Sequence, residues 1–513
     1  MMPKGKVHNR PLSIRQAYPK YPSLYQVNTR VYARSPRWGG SGRLDDIPDS
    51  ELDELRDMGF DWIYLLGVWQ SGAAAREIAQ AIPELLREYH ETLSDLRPED
   101  ICGSCFAIQN YRVRRDLGGN AALKRFRKRL SQRGLRLMLD FVPNHTASDH
   151  PWVRAHPDYY VHGTPELLAQ QPHNYTRLGR APGAPVLAYG RDPHFPGWSD
   201  TLQLNYGNPE LRQAMIGELM SVATLCDGVR CDMAMLLLPE VFQRTWGIPA
   251  APFWPRAIQE VRSKYPGFTF VAEVYWDLEW ALQQQGFDYT YDKRLYDRLR
   301  ERQVPPVRQH FEAALDYQDR SVRFLENHDE PRAARVFLPE EHRAAAALTF
   351  LSPGLRFFHQ GQIQGWKQKI PVQLCRAPQQ PIDGRLNAFY MRLLELLRDD
   401  ILRNGEWQLL ECRPAWEANS SWESLIAFSW RGSGDRCWLV AVNYAPHHSQ
   451  GYMRAPFPEW GGFHMRLNDL FSPASYDRQG DDLLEGGLYV DLPPWGINVF
   501  EVLRLSAGAG ESL

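Results

Sequence analysis

Eight short apolar runs, rich in β-branched and aromatic residues, recur between Leu24 and Phe358, with stretches of helical period between most of them. They are Leu24–Tyr32, Trp62–Leu66, Leu135–Phe141, Gly228–Asp232, Thr269–Glu273, Phe287–Tyr291, Val322–Glu326 and Gly354–Phe358. A helix between two strands returns the chain to the starting edge of the sheet, so the strands pair in parallel. Eight such units predict an α/β protein built as a closed (β/α)8 TIM barrel of roughly 250 residues or more. Helices are expected over Asp45–Met58, Asn120–Arg133, Pro209–Leu225, Arg256–Tyr265, Glu341–Leu351 and Leu386–Arg398.

Spacing locates the additions to that barrel. Asp232 and Glu273 lie 41 residues apart, close to one strand–helix unit. Glu273 and Asp329 lie 56 apart, which fits two units and includes the weak strand near Phe287. Asp140 and Asp232 lie 92 apart, a surplus of about fifty residues. That surplus predicts a subdomain (146–200) inserted after strand three and overhanging the barrel mouth, with 1–145 and 201–403 forming the barrel. A second insertion, Ser71–Pro98, follows strand two and holds a helical stretch around Glu77–His90. Beyond 404 short strand-like runs alternate with turn residues (Trp407–Leu410, Leu425–Trp430, Cys437–Asn443, Tyr452–Arg454, Leu488–Leu492, Val499–Leu503). They predict an all-β sandwich over 404–505, with a disordered tail over 506–513.

The net charge of −2 and pI near 6.7 give no basis for binding nucleic acid or an anionic membrane. No run approaches the ~18 apolar residues of a membrane span, and Met1-Met2-Pro3-Lys4-Gly5-Lys6 does not begin a secretory signal. The seven cysteines show no framework spacing, and the lone pair Cys102 and Cys105 lacks the second pair of a zinc site. A cytoplasmic enzyme is expected.

Four of the strands end in polar residues: Asp140 with Asn144 and His145; Arg230 with Asp232; Glu273; and Asn327-His328-Asp329. Side chains alternate along a strand, so Arg230 and Asp232 share a face, and Val229 and Cys231 share the other. The apolar pair suits the space under the outer helices, leaving the charged pair to the barrel interior. There Arg230 is expected to keep Asp232 ionised, as a nucleophile requires. Glu273 follows a wholly apolar strand, surroundings that favour the proton-carrying form a general acid needs. Taken singly, each cluster also fits a structural role: an ion pair at Arg230–Asp232, an exposed strand end at Glu273, a turn or helix cap at Asp329, a stabilised loop at Asp140.

Together, the four segments LDFVPNH, DGVRCD, FVAEV and FLENHD resemble the signature segments of the α-amylase superfamily of glycoside hydrolases, family 13-like. The resemblance spans the barrel, the insertion and the β domain. It implies Asp232 as nucleophile, Glu273 as acid/base and Asp329 as transition-state stabiliser. It also implies a substrate-binding set of Arg230, His145, His328 and Phe106, with Asp140 as its structural aspartate. No cofactor is required and no metal ligand is assigned, although Asn144 matches a position that ligates calcium in many members.

Two positions depart from the family pattern. Ala107 stands beside Phe106 where members that trim single glucose units commonly carry an Asp, so a single-glucose aryl glycoside is expected to be poor relative to longer chains. Met235 and Leu236 replace a common Lys-His pair, which predicts a more apolar acceptor side. Trp246, Trp254, Trp276 and Trp280 are candidates for substrate subsites or for packing. The resemblance implies a retaining α-glycosidase acting on an α-glucan or α-linked oligosaccharide. The alternatives are an α-transglycosylase (glucanotransferase or disaccharide phosphorylase type) and, remotely, a non-catalytic carbohydrate-binding protein, which would be expected to have lost a carboxylate.

Overall fold

The computed structural model describes residues 18–179, 181 and 183–505. The first six residues and the tail 506–513, about which the sequence carried expectations, lie outside the described residues. Eight parallel strands close a barrel: β1 (Ser23–Asn28), β2 (Trp62–Leu66), β3 (Arg136–Phe141), β4 (Gly228–Cys231), β5 (Thr269–Ala272), β6 (Tyr289–Tyr291), β7 (Ser321–Arg323) and β8 (Leu355–His359). Each pairs with its sequence neighbours, and β1 closes on β8 through Leu24↔Phe357 and Gln26↔His359. Helices cover the outside, so the strands are buried on both faces and read as nearly continuous apolar runs.

Several expected elements are shorter than the sequence suggests, β6 and β7 having three residues each where five are expected. The run Leu24–Tyr32 is strand only to Asn28; Thr29–Tyr32 turn into a helix whose four residues are all buried. The helix expected over Asp45–Met58 is a 3-10 turn (Leu44–Asp46) followed by α1 (Asp49–Asp57). Pro48 sits in extended conformation at its N-cap, because proline starts a helix but cannot continue one.

The connection after β2 carries two helices, α2 (Ala73–Ala81) and α3 (Pro83–Thr92), divided before Pro83. The connection after β3 holds short antiparallel pairs, His145–Ala147 with Thr201–Gln203 and Tyr175–Arg177 with Val186–Ala188. The C-terminal region forms a six-stranded and a three-stranded antiparallel sheet, whose facing residues share one apolar core including Leu439, Leu467, Met453 and Val490. Trp430 of the larger sheet donates its indole N–H to the Leu351 carbonyl at 2.7 Å, fixing that sheet to the barrel. Among the described residues no helix is long and apolar enough to cross a membrane.

Candidate active site

The register of three neighbouring strands aims the site. Arg230 stands opposite Asp140 on β3 and Val271 on β5, so two residues further along the barrel axis, on the same face, the chain presents Asp232 and Glu273. The ladder runs on past the strand ends: Asp232 N–H donates to Phe141 O at 2.8 Å and Glu273 N–H to Cys231 O at 3.0 Å. Both carboxylates are thereby tied to rigid backbone rather than to loops.

Arg230 points into the barrel, as the alternation predicts, and is 1% exposed. It joins both carboxylates: Nη1 lies 2.6 Å from Asp232 Oδ1 and Nη2 lies 2.7 Å from Glu273 Oε2. The expected single pair with Asp232 is thus a fork across two acids. Burial pushes the Asp232 carboxyl well above the usual range; Arg230 opposes this and the Glu273 charge adds to it. Arg230 thus acts on Asp232 in the direction expected of it, toward the ion, but does not cancel the effect of removal from water.

Glu273 is held on three sides. Besides Arg230, the Met233 N–H donates to Oε2 at 2.7 Å and the Tyr275 hydroxyl to Oε1 at 2.8 Å. Met233 has φ +43°, a left-handed conformation that a non-glycine residue adopts only at a cost of about 1 kcal/mol or more. That conformation turns its N–H onto Glu273. Asp329, exposed on its cleft side, sits 2.9 Å from His328 Nε2; partial loss of water around it would raise its carboxyl, but His328 outweighs this and holds the group below the usual carboxylate range. Lys369 donates to the Asp329 carbonyl oxygen.

Asp232, Glu273 and Asp329 line one cleft of about 290 Å³, together with Phe106, His145 and Tyr275. Burial keeps the His145 ring neutral, its pKa lowered to about 3. Phe106 lies with its ring 5.3 Å from His328 and 5.2 Å from the Arg230 guanidinium, forming one wall.

The expected structural aspartate, Asp140, and two expected substrate-binding residues, Arg230 and His328, lie beneath the cleft rather than in its lining. Asp140 is 1% exposed and spends its carboxylate on the Tyr64 hydroxyl and the Gly67 N–H at 2.8 Å, 3.9 Å from Arg230. Gly67 has φ +78°, and a Cβ there would meet that of Cys105 at 2.7 Å, so this support needs glycine. Arg230 and His328 are likewise buried; His328 takes Gln26 Nε2 at 3.1 Å and faces Asp329. All three orient the acids.

Other expectations are corrected by burial. Met235 and Leu236 are 0% and 3% exposed and pack in the core, so they do not make the acceptor side apolar. Ala107 is fully buried against Ala75 and Ala147 and lines no part of the cleft, which leaves the expectation about single-glucose substrates as it stands. Trp254 is a packing residue whose indole donates to Ala234 O at 2.9 Å, while Trp276 lines a second depression of about 690 Å³ that shares Met233 and Tyr275 with the cleft. Residue-type patterns missed Tyr275, although it lies two residues past Glu273, and Asp200, which enters the cleft from a loop without periodicity.

Asn144 does not fit a calcium site. Its amide and that of Gln203 satisfy each other, Gln203 Nε2 donating to Asn144 Oδ1 at 3.0 Å and Asn144 Nδ2 to Gln203 Oε1 at 3.2 Å. Among the described residues no group of three or more His, Cys, Asp or Glu is arranged to hold a metal. Calcium binding prefers several anionic oxygens, and two mutually bonded amides offer none.

Comparison with known proteins agrees with this architecture. The chain is similar to the α-amylase MalA of Haloarcula japonica, 24% identical over 351 residues that make up 66% of this chain and 43% of MalA. This chain thus spans less than half of that relative's length. It is also similar to an α-1,4-glucan:maltose-1-phosphate maltosyltransferase of Pseudomonas aeruginosa, 23% identical over 97% of this chain and 70% of that protein. The fold matches the crystal structure of a noncanonic maltogenic α-amylase, AmyB from Thermotoga neapolitana, with TM-score 0.67 and 20% identity over 95% of this chain and 99% of that one. Residues 26–381 match the family model of the α-amylase catalytic domain, and the chain belongs to the α-amylase family.

Proposed function

We propose that the chain is a retaining α-glycosidase that hydrolyses α-glucosidic linkages of an α-glucan or oligosaccharide. The observation that carries this reading is the convergence of Asp232, Glu273 and Asp329 on one cleft. Asp232 attacks the anomeric carbon; the bond to it forms as the glycosidic C–O bond breaks, and Glu273 gives its proton to the departing oxygen. Glu273, now a carboxylate, then takes a proton from water, whose oxygen displaces Asp232 and restores the original anomeric configuration. Asp329 holds ring hydroxyls and tightens as positive charge develops.

Arg230 supports retention over inversion. One guanidinium holds an oxygen of each acid, which favours the ~5–5.5 Å carboxyl spacing of retaining enzymes over the ~6.5–9.5 Å of inverting ones. Seven cysteines, all free thiols, support a reducing compartment such as the cytoplasm.

A second reading, transfer to a sugar or phosphate instead of water, uses the same residues. The maltosyltransferase relative, matched over 97% of this chain, favours keeping it. One experiment tests both: a panel of α-linked di- and polysaccharides, with and without an acceptor sugar or inorganic phosphate, products resolved by chromatography and the first-formed anomer read by proton NMR. Release of the α-anomer is expected. A β-anomer product, or no turnover on any α-glucoside, overturns the reading, and a new linkage formed only with acceptor present selects transfer.

A further inference from the structure

The acid Glu273 marks the side of the cleft on which the leaving group departs. Its two local partners, Met233 and Tyr275, line both the catalytic cleft and the 690 Å³ depression beside it. That depression, walled by Phe195, Trp276, Lys293 and Arg294, is therefore the leaving-group side. Trp276 and Asp277 both have positive φ, at +64° and +62°, so strained backbone shapes this wall.

On the other side the cleft meets Ser104, Phe106 and Gln373. Ser104 and Phe106 follow the insertion after β2, and Gln373 lies on the connection after β8. These two segments are sewn together directly behind the cleft. Cys102 N–H donates to Gln373 O at 2.8 Å and Cys375 N–H to Asp100 O at 2.9 Å. Arg30 reaches across with Nη1 on Gly103 O at 2.9 Å and Nη2 on Val372 O. Arg376 grips Asp100 at 2.7 and 2.9 Å, and Tyr89, Leu93, Ile101 and Leu374 form an apolar cluster beneath. A glucan continuing past the first sugar in this direction would have to part that seam and leave its buried N–H and C=O groups unpaired.

Asp200 also lines this cleft. Apart from its own backbone N–H, it makes no hydrogen bond or ion pair to another residue among the described residues. Burial raises its carboxyl to about 6. A carboxyl bonded only to its own backbone N–H, lining the same cleft as Gln373, suits vicinal hydroxyls of a sugar.

We propose that the catalytic cleft is a blind donor pocket that admits one sugar from the non-reducing end of an α-glucoside, with Asp200 and Gln373 gripping its distal hydroxyls. The enzyme thus removes or transfers single glycosyl units rather than cutting within chains. This rests on the reading of Glu273 as the acid. It departs from the expectation drawn from Ala107, that a single-glucose aryl glycoside is a poor substrate, and the rate on that substrate decides between the two.

The test compares para-nitrophenyl α-glucoside, free-ended para-nitrophenyl α-maltoheptaoside, and the same heptaoside with an ethylidene acetal across the distal hydroxyls of its terminal sugar. The aryl glucoside and the free-ended chain are expected to react, the latter yielding glucose (or a glucosylated acceptor) first, and the blocked chain about 100-fold more slowly or not at all. Comparable cleavage of the blocked chain overturns the blind pocket and leaves the three-carboxylate reading intact. Inertness toward all three, with and without acceptor, overturns both. Asp200→Asn is expected to raise KM for the aryl glucoside about 10-fold with melting temperature unchanged; an unaltered KM removes Asp200 from the grip.

Discussion

The hydroxyl of Tyr275 donates to Glu273 Oε1 at 2.8 Å, while the opposite oxygen takes the N–H of Met233 and one arm of Arg230. Burial, helped by the Glu273 charge, pushes the Tyr275 hydroxyl well above its ordinary pKa, so it remains a donor throughout the working pH range. It orients the carboxyl between its two tasks, giving and retrieving a proton. Tyr275→Phe removes one hydrogen bond to a charged group, about 1.5–3 kcal/mol, and should lower kcat by roughly 10- to 100-fold with KM little changed. Steady-state kinetics with a circular-dichroism control check this; a loss in KM alone would reassign Tyr275 to substrate binding.

Asp232 links activity and stability in opposite directions. Its carboxyl is raised by burial, so the folded state binds that proton more tightly than the unfolded chain does. Stability therefore falls as pH rises from the unfolded value of about 3.9 toward the folded one, and the ionised group carries a penalty. Asp232→Asn removes that penalty together with the nucleophile. Turnover should drop by about 10⁴-fold or more, while the melting temperature should hold or rise by about 1–2 °C. In the unmodified enzyme the acid limb of kcat/KM should have its midpoint above the ordinary carboxylate range, because attack requires the ion. A limb near pH 4 or below, or unchanged turnover in the variant, would remove Asp232 from the role.

What the sequence made legible follows from burial on both faces. The barrel strands are short apolar runs that end where polar side chains emerge, so Asp232, Glu273 and Asp329 could be read from the change of character alone. Strands facing water carry no such mark: Ser475–Gln479 is exposed along its whole length and has no apolar residue but Tyr476. His464–Asp469 does alternate, with Met465 and Leu467 buried, but two apolar residues among polar ones give too faint a period. Depth was the other hidden quantity. Asp140, Met235 and Ala107 look like cleft residues in a motif, yet all lie in the core, and only the packing around them separates support from contact.

Asp292 carries a pH dependence of stability rather than of activity. It caps the helix Lys293–Arg300 and is bonded to His310 Nε2 at 2.9 Å and to Arg323. Burial would raise it, but His310 and Arg323 outweigh burial and lower it to about 2. A depressed carboxylate stabilises the fold above its unfolded pKa of about 3.9 and loses that contribution as pH falls through 2, about 2–3 kcal/mol in all. Denaturant unfolding between pH 5 and 2 should show that loss in the natural protein and a flatter profile in Asp292→Asn. At neutral pH the variant should be destabilised by about 3–5 kcal/mol, since Arg323 is left buried without its counter-charge. Parallel profiles would assign the acid lability to other groups.

The pairing of Asn144 with Gln203 predicts indifference to calcium. The two amides join the end of β3 to the short strand Thr201–Gln203, and Gln203 also donates to the carbonyls of Asn144 and Leu204 at 3.0 and 3.1 Å. Both residues are almost wholly buried, so every group lost here goes unpaired in the core. The link holds the inserted segment over the mouth without any charge for a cation to neutralise. Dialysis against EDTA should leave kcat and melting temperature unchanged, and added calcium should restore nothing. Gln203→Ala should destabilise by about 1–3 kcal/mol and raise KM, because Asn144 would lose its partner and His145, next in sequence, its support. Loss of activity on chelation, reversed by calcium, would show that a cation and not the amide pair fastens this segment.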